Sequence, residues 1–148
     1  MYFFVILRIF IGSIFIISGL EKLIGPYQNF LYVIDNYEIL PPFLEEFTAR
    51  VFPWLEFFLG IFLILGLWTK LSLWGVISLF LIFLTVVGQA LVRKLPITEC
   101  GCFGGLISVP LYVVFLFDTV SLMLSGLLLL KFSHTSKLSL DHYFLESE

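Results

Sequence analysis

Residues 51–91 read VFPWLEFFLGIFLILGLWTKLSLWGVISLFLIFLTVVGQAL. Two apolar windows, Val51–Trp68 and Leu71–Leu91, follow one another with only Thr69-Lys70 between them. A helix that crosses a bilayer needs roughly 17–25 consecutive apolar residues, and each window supplies that length. Inside lipid every backbone N–H and C=O must be bonded within the segment, so both windows are expected to be helices. The two-residue break predicts a tight antiparallel hairpin.

Working outward, Phe3–Leu20 is a third window, interrupted by Arg8, and Val109–Leu130 a fourth, containing Asp118. The expected fold is therefore all-α: an integral membrane four-helix bundle. The chain is 60% hydrophobic and 13% charged, against about 45–50% and about 25% in soluble domains. A core of this size cannot hide that excess, so the outer surface is expected to face lipid. One membrane domain is expected over residues 1–131, with a polar, mobile tail over 132–148. The start, Met1-Tyr2-Phe3-Phe4, lacks a basic leader region, so the first window reads as a retained span. A net charge of −3 without clustered Lys and Arg gives no sign of nucleic-acid binding.

The segment Glu21–Arg50 is long and mixed. Phe30, Val33, Ile34 and Tyr37 recur in it at helical spacing, beside Asp35 and Asn36, which predicts a short amphipathic interfacial helix between the first and second spans. Pro41-Pro42 ends it and opens the approach to the second span.

Arg8, Glu56, Asp118 and Gln89 are polar at membrane depth, where each charge costs about 2.5–3.5 kcal/mol on insertion scales. They are expected to face the bundle interior. At about 1.5 Å per residue, Arg8 lies roughly 18 Å, Asp118 roughly 13 Å and Glu56 roughly 7 Å from the side that carries the third connection. Depth therefore pairs Arg8 with Asp118 and leaves Glu56 near Gln89. An Arg8–Asp118 pair reads either as a clasp that fixes helix registry or as catalytic. Glu56 reads either as a carboxylate that snorkels to the interface or bonds a helix N-terminus, or as a proton carrier near the thiols.

The third connection, Arg93–Ser108, contains Cys100-Gly101-Cys102-Phe103-Gly104-Gly105, with Glu99 just before it. These two thiols are the only cysteines of the chain. Gly101 supplies the backbone freedom to close a small disulfide ring, and a strained ring is easily reduced. Such a bond suits the passing-on of oxidising equivalents. Inert thiols and a soft-metal site are the other readings; His134 and His142 fall on the opposite face, and no metal is expected. One dithiol handles two electrons and there is no second pair. Reoxidation therefore calls either for a directly bound acceptor such as a quinone or for a partner protein with its own cysteines.

Arg8, Gly12, Phe15, Ser18-Gly19 and Lys22 resemble the R-x₃-G-x₂-F-x₂-SG-x₂-K opening of the DoxX-like membrane proteins. Asn36-Tyr37 with Pro41, then Pro53-Trp54-Leu55-Glu56 with Gly60, resemble the methylamine-utilisation MauE branch, and residues 100–104 resemble its C-x-C-F-G mark. The resemblance runs from about Tyr2 to Leu130. It implies a four-helix protein linked to periplasmic disulfide formation, with Cys100 and Cys102 as the redox pair and a thioredoxin-like partner. It also implies an association with maturation of a disulfide-rich dehydrogenase subunit. Arg8, Glu56 and Asp118 match polar positions of the pattern, to which the resemblance assigns no role.

The expected function is a membrane thiol–disulfide oxidoreductase whose catalytic residues are Cys100 and Cys102, with Glu56 or Glu99 managing protons and a quinone as a possible acceptor. The alternatives are a non-catalytic assembly or anchoring subunit for a periplasmic redox protein and, last, a small-molecule carrier. The expected location is the bacterial cytoplasmic membrane. Basic residues leave the topology nearly undecided: Lys70, Lys131 and Lys137 lie on one side, Lys22, Arg50, Arg93 and Lys94 on the other. Redox-active thiols are better explained outside the reducing compartment. The termini are therefore expected in the cytoplasm and the cysteine loop in the periplasm.

Overall fold

The structure is a computed structural model that describes residues 2–97, 109–135, 139–141 and 143. Its elements are helices: α1 Tyr2–Ile24, α2 Tyr27–Asn36, α3 Pro42–Leu65, α4 Thr69–Arg93, α5 Leu111–Leu130 and the short α6 Phe132–Thr135. Among the described residues, α1, α3, α4 and α5 are long and apolar enough to cross a membrane. At about 1.5 Å per residue the shortest of them still covers about 30 Å, the thickness of the hydrocarbon core. Side chains such as Ile6, Phe10, Leu116 and Met123 stay exposed on their outer faces, as lipid-facing residues should.

Helix α3 starts nine residues before the apolar window Val51–Trp68. Pro41 and Pro42 occupy its N-cap and first position, where a missing N–H costs nothing. Glu45, Glu46 and Arg50 lower the hydropathy of this first stretch without ending the helix. Pro53 sits inside α3; within a bundle, neighbouring helices allow such an interruption. At the other end Gly66 takes a left-handed conformation, φ 69°, and closes the helix, as a residue without Cβ can.

The most extensive packing joins α1 to α3, and α4 to α5 comes next. The α1–α3 seam is built on small residues. A Cβ on Gly12 would stand 2.9 Å from the Gly60 carbonyl oxygen, and one on Gly60 would stand 2.7 Å from that of Gly12. Small residues let two membrane helices bring their backbones together, and in lipid that close packing drives association.

Two apolar clusters fill the interior. Ile11, Phe15, Leu63, Leu73, Val76 and Leu128 belong to the first. The second lies at the opposite end, where Val33 of α2 and Tyr37 at its C-cap pack on Val87, Ala90, Leu111 and Val114. The expected interfacial helix is thus present, with Phe30, Val33 and Tyr37 buried against protein. It covers the end of the bundle from which the cysteine segment departs.

Candidate functional site

Near the end of α1, Ser18 and Lys22 lie one helical turn apart on the same face. Opposite them α3 presents Glu56. Lys22 Nζ lies 2.8 Å from Glu56 Oε2 and 2.6 Å from Ser18 Oγ. The Ser18 hydroxyl donates to the same carboxylate oxygen at 3.4 Å. The lysine and glutamate side chains are 0% and 2% exposed, and the Phe30 ring of α2 stands 5.4 Å from the ammonium. Fully buried charges are tolerated when paired and hydrogen-bonded, and this trio meets both conditions.

Ser18 and Glu56 also form the polar wall of a cavity of about 210 Å³. Asp118 of α5 contributes a second carboxylate, and Phe15, Phe80, Phe83 and Phe117 supply flat apolar walls. Val109, the first described residue after the cysteine segment, lies at its edge. Ile97, the last described residue before that segment, packs with Val109 against the cluster beneath α2. The chain therefore leaves and re-enters the bundle at the same end, beside this cavity.

At the far end of α1 a different arrangement holds Arg8, which is 1% exposed. The carboxylate that faces it is Asp141. Asp141 Oδ1 accepts from the Trp68 backbone N–H at 2.8 Å, and Oδ2 from that of Thr69 at 2.7 Å. Trp68 is held at φ 45° with no side-chain cap of its own, so Asp141 caps α4 from the far end of the sequence. Burial disfavours the charged carboxyl, but the bonds from Thr69 and Trp68 and the Arg8 charge outweigh it and hold Asp141 below its usual range.

The expected positions divide accordingly. Glu56, Asp118, Arg8 and Gln89 all lie within the bundle. Glu56 meets Lys22, whereas depth had pointed to Gln89; the Gln89 amide donates instead to the Tyr37 carbonyl at 3.1 Å. Arg8 lies close enough to Asp141 for the two charges to act on each other, because Ser139–Asp141 packs back onto the α3–α4 turn at Gly66. That part of the tail is docked. Lys22, Ser18 and Asp141 are the site residues that sequence reasoning missed. The helical repeat could have found Lys22. Gly12 against Gly60 sets the two helices antiparallel and brings Gly19 onto Pro53 and Phe57, so Lys22, one turn further along α1, is within a long side chain's reach of Glu56. Glu99, Cys100, Cys102 and His142 lie outside the described residues.

Comparison with known proteins identifies the family of the chain. The family model of methylamine utilisation protein MauE matches residues 1–131. The methylamine utilization protein MauE of Paracoccus denitrificans is 27% identical over 97 residues, 66% of this chain and 52% of that protein. Its namesake from Methylophilus methylotrophus is 29% identical over 94 residues, 64% of this chain and 49% of that protein. This chain thus matches about half the length of each of these relatives. No solved structure gives a significant match. With four apolar spans and a family match that covers all of them, the chain belongs to the MauE family of membrane proteins.

Proposed function

We propose that this chain is a thiol–disulfide oxidoreductase of the bacterial cytoplasmic membrane, oxidising a thioredoxin-like partner in the periplasm. Its setting is methylamine utilisation, the process named in its relatives. The observation that carries the reading is the Cys100-Gly101-Cys102 stretch, joined through Ile97 and Val109 to the end of the bundle where a buried Lys22–Ser18–Glu56 trio borders a cavity. Termini in the cytoplasm place that end in the periplasm, where a disulfide persists.

In the cycle, a partner's two thiols become a disulfide while the Cys100–Cys102 S–S bond takes up two electrons and two protons. Closing that bond again releases both electrons and both protons. A quinone supplies the chemistry of accepting them, and the flat phenylalanine walls and polar edge of the cavity fit such a ring. Glu56 is placed to receive a proton at its carboxylate. Lys22 fixes the position of that carboxylate, and Glu99, next to Cys100 in sequence, is the second proton carrier.

Cys102→Ser protein should trap a mixed disulfide between Cys100 and its partner, seen as a reducible high-mass band. Oxidation of the partner at an unchanged rate by the Cys100→Ser, Cys102→Ser double variant would overturn the proposal and favour a non-catalytic anchoring subunit.

A further inference from the structure

Helices α1 and α5 touch far less extensively than α1 and α3. The Lys22–Ser18–Glu56 cavity lies along that loose seam. Its α5 wall includes Val113 and Phe117, each 39% exposed and flanked on α5 by the exposed Tyr112 and Leu116. An exposed face of a spanning helix meets lipid, so the cavity opens sideways into the bilayer. A ligand reaching it by that path is dissolved in the membrane.

The lining narrows the chemistry further. Four phenylalanines make flat walls suited to a planar ring. The Ser18 hydroxyl gives its one proton to Glu56 over a long 3.4 Å and can turn it to a carbonyl oxygen instead, while Glu56, still held by Lys22, can accept from a hydroxyl. A ring that alternates between carbonyl and hydroxyl at one position finds a partner in both forms. The volume, about 210 Å³, is below the roughly 300–1,000 Å³ of sites that enclose drug-sized ligands. It takes one ring and leaves a long tail outside. A second cavity of about 240 Å³ lies between α2, α3 and α4, lined by residues such as Ile34, Leu40, Phe52 and Val86. It has no charged residue in its lining, so beside the hydroxyls of Tyr37 and Thr48 it offers no carboxylate to exchange a proton with a ring oxygen.

We infer that the cavity between α1 and α5 holds the ring of a prenylated quinone, which enters laterally and leaves its tail in the bilayer. This assignment rests on the redox reading above and names the site of its acceptor. Ser18 and Glu56 contact the ring oxygen, and Lys22 is a positioning residue that holds both of them.

The test uses the full chain, as the Cys100→Ser, Cys102→Ser variant, in lipid nanodiscs with a short-tailed photoreactive benzoquinone. Binding does not need the thiols, so labelling is expected at Ile14, Val109, Val113 or Phe117. It should fall roughly tenfold under a tenfold excess of unlabelled short-tailed quinone, as mass action requires, and not under an alkyl alcohol of equal tail length. Val113→Trp, which fills the mouth, should abolish labelling while the melting temperature stays near that of the parent. Labelling confined to Ile34, Leu40 and Thr48, labelling nowhere, or equal displacement by the alcohol overturns the inference. Mixed-disulfide trapping with the Cys102→Ser protein is scored separately. If trapping succeeds without cavity labelling, the redox reading stands and the acceptor site is elsewhere. If labelling succeeds without trapping, the redox reading fails.

Discussion

The two ends of α1 each bury a basic residue, and they neutralise it in opposite ways. Lys22 meets Glu56 from the middle of another spanning helix, and both side chains are cut off from solvent. Arg8 feels the charge of Asp141, a half-buried residue whose carboxylate oxygens are bonded to the α4 N-terminus instead. The first pair is held by the packing of two spans and lies at the edge of a cavity. The second is a clasp that ties the C-terminal segment to a turn. A charge enclosed among helices and bordering a ligand-sized space is suited to chemistry; a charge at the rim that closes a turn is suited to stability.

Breaking one partner of each pair tests the contrast. Glu56→Ala leaves Lys22 buried without its counter-charge and should cost about 3–5 kcal/mol. The loss would appear as a large drop in melting temperature in detergent. The double variant Lys22→Met, Glu56→Leu should recover most of that stability and none of the partner oxidation. Recovery of both would make the pair purely structural.

Gly60→Val attacks the seam that carries α1 between the two ends. Its Cβ would press on the Gly12 carbonyl oxygen, which is backbone and cannot swing aside. The expected cost is about 1–3 kcal/mol, and both pairs should loosen together. Cysteine cross-links placed across α1 and α3 at each end would report it.

Asp141→Ala removes the cap and should cost about 1 kcal/mol, with partner oxidation retained. The folded state holds this carboxyl below its ordinary value of 3.8. Its stabilisation is therefore complete above that value and is lost as pH falls through the lower folded value. The stability gap between wild type and Asp141→Ala should be constant from pH 7 to pH 5 and shrink below pH 4. A gap that grew on acidification would reverse the assigned sign. Arg50→Gln, breaking an exposed ion pair with Glu46, should change stability by no more than about 0.5 kcal/mol.

The bundle was legible because lipid sets a length and forbids unpaired backbone, so four long apolar windows admit few folds. The start of α3 was harder to read. Glu45, Glu46 and Arg50 break the hydropathy signal, yet the helix continues through them from Pro42. The pairing of the buried charges was harder still. Depth along the membrane normal orders residues but does not say which helices touch. That choice is made by Gly12 and Gly60, whose close approach brings α1 onto α3 and carries Lys22 to Glu56. Lys22 also lies just past the apolar window Phe3–Leu20, which assigned it to the connecting segment. Asp141 was hidden for another reason: a polar tail carries no periodicity, and its docking depends on one carboxylate meeting two backbone N–H groups.

Impermeant thiol labelling of intact spheroplasts tests the central claim most directly. A periplasmic disulfide between Cys100 and Cys102 predicts no label on the untreated protein and a label on both cysteines after gentle reduction from outside. Thiols that label without reduction, or only after the membrane is permeabilised, would contradict it.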